Sequence, residues 1–216
     1  MYKKLTHTEH ILKRPDSYVG SVVPETEQVW VVQDGDHFVQ KTSPVSQGLL
    51  KIFDEILVNA IDQNTLHPKD VKRIDVGLSS TSISVKNNGI SIPIEIHSET
   101  GVYTPELIFG HLLTSSNYDD NVERVTGGRN GYGAKLTNIF SKTFEVEVSD
   151  GAKTYTQTWR NNMSVCEKPV IVKSKAKPGV QIKFQPDYVK FGVTYDQTKK
   201  LFEKRVYDAA MWCSCK

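Results

Sequence analysis

Cysteine is scarce in this chain: Cys166, Cys213 and Cys215 are the only three among 216 residues. An odd count without a Cys-x-x-Cys pair argues against a disulfide framework and a zinc site, and fits a reducing compartment. No apolar run is long enough to span a bilayer and no signal peptide is expected, so the reading is of an intracellular protein with no membrane partner. The lone sequon, Asn162-Met163-Ser164, therefore reads as a chance match. A strong charge of one sign is missing too, with 27 Lys and Arg against 25 acids and a formal net charge of +2. Composition alone thus announces no nucleic-acid binder. Internal repeats, low-complexity segments and interior linkers are absent, which excludes solenoids and arrays. At 38% hydrophobic residues, the chain can bury one good core and a small appendage. The largest local bias is the run of Lys168, Lys173, Lys175, Lys177 and Lys183, which reads as a solvated loop and hairpin rather than a DNA-facing patch.

Periodicity predicts a short helix over residues 6–13, stopped by Pro15, and a hairpin of 28–33 with 37–42 around Asp34-Gly35-Asp36. The strongest helix is expected at 46–66, strands at 71–78, 82–86 and 180–184, and a closing helix at 195–211. A second hairpin joins 143–149 to 153–160 around Asp150-Gly151. Thr104-Pro105-Glu106 reads as a helix start with a threonine cap and proline in the first turn. Residues 113–131 are polar, long and without period, as expected of a mobile functional loop. Strands interrupted by helices, without βαβ alternation, indicate an α/β (α+β) two-layer sandwich, a mixed sheet with helices on one face.

Three stretches carry chemistry. Gly128-Arg129-Asn130-Gly131-Tyr132-Gly133-Ala134-Lys135 places three glycines in a GxxGxG spacing before a helix-like segment. Glycine permits positive φ and close approach of a ligand to the main chain, and a helix start offers free N–H groups to phosphate. Lys135 adds a point charge. The stretch is not a Walker A loop, because Gly133-Ala134-Lys135 stands where that motif has Gly-Lys-Ser/Thr. On the strongest helix, at about 100° per residue, Leu50, Phe53, Ile56, Leu57, Ala60 and Ile61 form the expected core face. Glu55, Asn59 and Asp62 fall on the opposite side, and asparagine is a poor choice for a helix interior. A carboxylate beside a neutral oxygen donor suits general-base chemistry next to a hard cation such as Mg²⁺. The third stretch, Asn87-Asn88-Gly89-Ile90-Ser91-Ile92-Pro93, follows a strand and would by itself pass for an ordinary Asn-Gly turn.

In order and spacing, this triplet resembles the asparagine box and two glycine boxes of the GHKL ATPases, whose ATP-binding (Bergerat) fold it implies. Within that superfamily, the stretch from Glu9-His10-Ile11-Leu12 through Arg14-Pro15-Asp16-Ser17-Tyr18-Val19-Gly20 is similar to the N-terminal signature of type IIA DNA topoisomerases. Phe53-Asp54-Glu55-Ile56-Leu57-Val58-Asn59-Ala60, Leu112-Leu113-Thr114-Ser115-Ser116-Asn117-Tyr118 and the second glycine box match the eukaryotic-type enzymes more closely than gyrase. The resemblance runs from Tyr2 to about residue 210.

The resemblance implies roles. Glu55 matches the general base, Asn59 the Mg²⁺ ligand, and Asn87 the adenine-side residue. Ser115, Ser116 and Asn117 match the lid beside ribose and phosphate, and Gly128, Arg129, Asn130, Gly131, Tyr132, Gly133, Ala134 and Lys135 the triphosphate cradle. Tyr2 sits where the arm of one subunit reaches the partner's nucleotide. Expected organisation is an arm at 1–20 and the ATPase domain at 21–216, with transducer and DNA-cleavage domains lying elsewhere. Expected partners are DNA, through a complete enzyme, and a second copy in a homodimer; the expected location is the nucleus or a site of DNA replication, in a cell or a virus. Two departures stand out. Ser91 occupies a position where many members have a second glycine, and Gln197-Thr198-Lys199 spells a transducer motif too early in the chain, which reads as coincidence. A free-standing GHKL module used for regulated dimerisation, with little turnover, is the alternative expectation.

Overall fold

The computed structural model describes residues 4–35, 37–112 and 132–216. Helix α1 (His7–Lys13) opens on a capping box: the Thr6 hydroxyl accepts from the Glu9 N–H at 3.2 Å, and the Glu9 carboxylate accepts from the Thr6 N–H at 2.7 Å. It closes at Arg14, the residue before Pro15, where helical geometry is disfavoured. A single turn, α2 (Asp16–Val19), follows, and the pair buries Ile11 and Val19 in the main core. Strands β1 (Glu25–Gln33) and β2 (His37–Val45) make the expected hairpin as a separate ribbon. Its Val31 and Val45 pack on Leu201.

Helix α3 (Gln47–Leu66) buries Leu49, Ile52, Phe53, Ile56, Leu57 and Ala60. Leu50 and Ile61, expected in the core, are only partly buried, while Leu49 and Ile52 take full burial. The shift arises because α3 is contacted on several sides, by the sheet, by α2 and by the later helices at Gly133–Ile139 and Tyr195–Trp212, so its covered arc is rotated from the simple apolar stripe.

Strands β3 (Ile74–Leu78) and β4 (Ile83–Asn88) form a hairpin. Helices α4 (Thr104–Gly110) and α5 (Gly133–Ile139) come next. Then follow β5 (Ser141–Ser149), β6 (Lys153–Arg160), β7 (Val165–Cys166), β8 (Val170–Lys173), β9 (Gly179–Pro186) and the closing α6 (Tyr195–Trp212). The sheet order is β3-β4-β9-β5-β6-β7, with β8 also pairing with β6. Ile83, Phe184, Phe144 and Trp159 stand in one cross-strand row, and Val85, Ile182 and Val146 in the next. All seven are buried, facing the helices. The alternate row Lys86, Gln181, Glu147 and Thr156 faces away, as period-two alternation requires of a sheet covered on one side.

The two-layer sandwich therefore stands, with one correction. Every described pairing is antiparallel, where a mixed sheet was expected. Strands β4 and β5 do share a direction across their helical connection, but β9 inserts between them and opposes both. Two local expectations also change. Asn87 and Asn88 end strand β4 instead of forming the turn. Thr104 is not the cap of α4; Tyr103 precedes the helix, and the Thr104 N–H and hydroxyl both donate to the Glu95 carbonyl, at 2.9 and 3.2 Å. Strand β8 lies within the run from Lys168 to Lys183 that was expected as a basic loop and hairpin, and the two-residue β7 before it was not expected. Gln197-Thr198-Lys199 has a local purpose: Gln197 completes the α6 capping box with Thr194, and the Thr198 hydroxyl donates to the Thr194 carbonyl at 3.0 Å.

Phe53, fully buried and 4.8 Å from the Phe202 ring, joins α3 to α6. Phe53→Ala is expected to lower stability by about 3–5 kcal/mol, seen in urea titration as an earlier midpoint with an unchanged slope.

Candidate active site

Helices α3 and α5 come from distant parts of the sequence and meet at one carboxylate. Glu55 is partly buried, and its two oxygens have different neighbours. Oε1 pairs with the Lys51 ammonium, one turn earlier on α3. Oε2 lies against Gly133, the first residue of α5, so closely that a Cβ there would stand 1.9 Å away. Glycine lets the carboxylate hold this position, which a Cβ would force it to leave; no positive φ is involved. The Thr137 hydroxyl, one turn into α5, donates to the Ile52 carbonyl at 2.8 Å and fixes the two helices in register. The Asn138 amide donates to the Phe109 carbonyl at 3.1 Å and ties α5 to α4.

Asn59, one turn beyond Glu55, is exposed. Its amide has no hydrogen-bond partner among the described residues, which leaves an oxygen free for a hard cation. Among the described residues, no three His, Cys, Asp or Glu side chains gather where they could hold a metal ion. A cation at Asn59 would thus draw its other ligands from phosphate and water, as Mg²⁺ commonly does.

The first glycine box is built by strand register. Asn87 shares its row with Val180 and Val148, on the side of the sheet that carries the helices, and is buried there. The Asn88 carboxamide oxygen accepts from the Lys72 and Arg73 N–H groups, both at 2.9 Å, and pins the segment leading into β3. Gly89 has φ +92°, and a Cβ would stand 2.2 Å from the Asp70 carbonyl oxygen, so conformation and space both demand glycine. Ser91, the departure from the family pattern, is partly buried, and its hydroxyl donates to the Ile92 carbonyl at 3.2 Å.

The N-terminal signature reaches the second glycine box through aromatic rings. His7 and Tyr18 lie edge-on to Tyr132 at 5.9 and 6.5 Å, and the Tyr18 hydroxyl bonds the His10 ring at 3.0 Å. Spacing did not reveal this cluster, because the aromatic residues sit on separate elements. Lys51 could have been found, since residues four apart on a helix face each other. Of the other expected site residues, Tyr132, Gly133, Ala134 and Lys135 gather at the start of α5. Tyr2, Ser115, Ser116, Asn117, Gly128, Arg129, Asn130 and Gly131 lie outside the described residues, as does the expected loop at 113–131.

Lys135 is the one buried lysine among the described residues, 3% exposed, and burial pushes its ammonium down to about 8. A cation held this far out of water is readily neutralised when no anion is near and favoured when one is.

This sandwich, with Asn87 buried on the helix side of the sheet and the start of α5 set against the Glu55 carboxylate of α3, is that of a nucleotide-binding ATPase. Across residues 45–188 the match is to the histidine kinase-, DNA gyrase B-, and HSP90-like ATPases, and the chain belongs to that family. It is 50% identical to DNA topoisomerase 2 of Pisum sativum and 49% identical to that of Saccharomyces cerevisiae, covering 97% and 96% of this chain. The chain spans only 15% of the length of either relative. Its fold superposes on the crystal structure of the ATPase region of Saccharomyces cerevisiae topoisomerase II with a TM-score of 0.91 and 48% identity, covering 96% of this chain and 57% of that one. The ATPase and transducer domains of DNA topoisomerase II from Balamuthia mandrillaris give 0.90 and 44%, covering 97% and 56%.

Lys135 has a signature in pH. Its folded value of about 8 lies below the 10.5 of a free lysine, so between these limits the unfolded chain binds more protons and stability rises with pH. Below about 8 both states are charged and the penalty is constant. Buried Tyr155 and partly buried Tyr188, both raised by desolvation, and Cys213, pushed up to about 11, act in the opposite direction at alkaline pH. Comparison with Lys135→Met isolates the lysine: the difference in urea midpoint between parent and variant should change steadily as pH rises through 8 to 10, the parent gaining on the variant.

Proposed function

We propose that this domain binds ATP with Mg²⁺ and hydrolyses it as the ATPase domain of an ATP-dependent type II DNA topoisomerase. In the complete enzyme, nucleotide-driven closure of a dimer gate would be coupled to DNA strand passage. The observation that carries the reading is the contact between Glu55 and Gly133. It brings the asparagine-box carboxylate to the second glycine box, so a γ-phosphate cradled by the box would lie beside a base. Likeness to proteins named DNA topoisomerase 2 supports DNA as the substrate of the complete enzyme; with it we propose a second copy as partner and the nucleus or another site of DNA replication, in a cell or a virus, as the place of action.

The residues divide the work. Glu55 takes the proton of the attacking water, with Lys51 and Gly133 restricting how its carboxylate turns. Asn59 would hold Mg²⁺ through its amide oxygen; when bound, the ion supplies charge neutralisation along the phosphates. Asn87, on the helix side of the sheet, takes the adenine side. Lys135 and the main chain of the second glycine box oppose the phosphate charge, so positioning and electrostatics carry the transfer. Ser115, Ser116 and Asn117 would close over ribose and phosphate, and Tyr2 would reach the partner's nucleotide. We place the arm at 1–20 and the ATPase domain at 21–216; burial of Ile11 and Val19 makes the arm's two helices part of the domain's packing.

Glu55→Gln keeps the shape and removes the base. It should bind ATP normally and hydrolyse it about 10²–10⁴-fold more slowly in the complete enzyme, by steady-state phosphate release. Near-normal turnover would remove Glu55 from the chemistry. Asn59→Ala should weaken ATP binding strongly with Mg²⁺ and little without it, by calorimetric titration; equal losses would make Asn59 structural.

A further inference from the structure

Strand β8, Val170–Lys173, is an open edge of the large sheet. Its register with β6 pairs Val170 with Thr156, Ile171 with Tyr155, Val172 with Thr154 and Lys173 with Lys153. The Ser174 N–H donates to the Ala152 carbonyl at 2.8 Å, which marks that pair as hydrogen-bonded. Antiparallel ladders alternate, so Val172 and Val170 bond to β6 while Ile171 and Lys173 turn their N–H and C=O groups outward. Among the described residues, nothing pairs with these two N–H and two C=O groups. Val170 and Val172, opposite outward-facing threonines, are 60% and 51% exposed.

The surroundings are cationic. Lys153, Lys168, Lys173, Lys175 and Lys177 are all exposed, and none forms an ion pair with another described residue. The neighbouring acids are engaged elsewhere: Asp150 accepts from the Ala152 and Lys153 N–H groups, and Glu167 pairs with Arg160.

We propose that β8 is a docking edge for an extended acidic segment of another protein, added as an antiparallel strand. Backbone groups of Ile171 and Lys173 would supply the ladder, Val170 and Val172 an apolar strip for alternate side chains, and the lysines the selection for Asp and Glu. A second copy of this chain is disfavoured, because its own lysines would be brought against these. A nucleic acid would use the lysines but neither the strand edge nor the valines. Pro169 has no N–H, so pairing stops there and the contact is short, salt-sensitive and reversible.

The test uses the chain with a labelled peptide alternating glutamate and valine, its lysine-for-glutamate counterpart, and a DNA duplex. Fluorescence anisotropy should show binding of the acidic peptide alone among the peptides, weakening as salt rises. Hydrogen exchange should show new protection at the Ile171 and Lys173 amides. Lys173→Pro removes an outward N–H without touching a β6 bond, and Lys175→Glu with Lys177→Glu reverses charge in an exposed loop; each should weaken the peptide by about tenfold or more. Circular dichroism confirms folding, and the loop variant decides the matter if the proline variant does not fold. The proposal is overturned by absent binding, by equal binding of the lysine peptide, or by binding that leaves those amides unprotected. It is also overturned if DNA binds this edge with Lys173→Pro indifferent, or if two copies of the chain protect the same amides.

Discussion

Helix α5 starts against the Glu55 carboxylate of α3 so closely that a Cβ on Gly133 would stand 1.9 Å from Oε2, and any larger residue there would turn the carboxylate out of its present position. That approach sets the rest of the site. It leaves Glu55 between Lys51 and the start of α5, carries Lys135 into a buried position, and lets Thr137 reach the Ile52 carbonyl. A glycine loop and a helix carboxylate are each common; here the fold brings the two into contact. The buried arc of α3 is broad for the same reason, since the helix packs on the sheet, on α5 and on α6 together.

The sheet serves the site by being one-sided. Its inner rows of Ile83, Phe184, Phe144 and Trp159, and of Val85, Ile182 and Val146, carry the hydrophobic load. Asn87 belongs to the same face, so a buried polar side chain stands at the end of an apolar layer, where a flat, partly polar ring could lie. The outer face needs no cover, as its charged and hydroxyl side chains meet water. The cost of this arrangement falls on the edge: β8 is left with backbone groups and valines facing outward, ringed by lysines that deter self-pairing.

Much of this was legible in the linear text. The short helix stopped before Pro15, the Asp34-Gly35 and Asp150-Gly151 hairpins, and the helices α3 and α6 all follow from local patterns, and the three boxes pointed to the family. What failed has specific causes. The cap at Thr104 was misread because its hydroxyl is used by Glu95, a partner outside the helix. Strand β8 looked like a basic loop because four residues after a proline carry little periodicity. The mixed sheet was expected because the helical connection between β4 and β5 does leave those strands parallel, and only the insertion of β9 separates them.

The sequence by itself determined the long helices, the two hairpins and the chemistry each candidate side chain can carry, since these depend on local backbone preference and on single residues. Tertiary structure alone decided which of them meet: Glu55 with Gly133, Tyr18 with Tyr132, Arg205 of α6 with Asp54 of α3 at 2.7 and 2.9 Å. Such meetings depend on strand order and on how closely helices approach. Both are set by packing volume and by satisfaction of backbone hydrogen bonds across the whole domain, quantities that no short window of sequence contains.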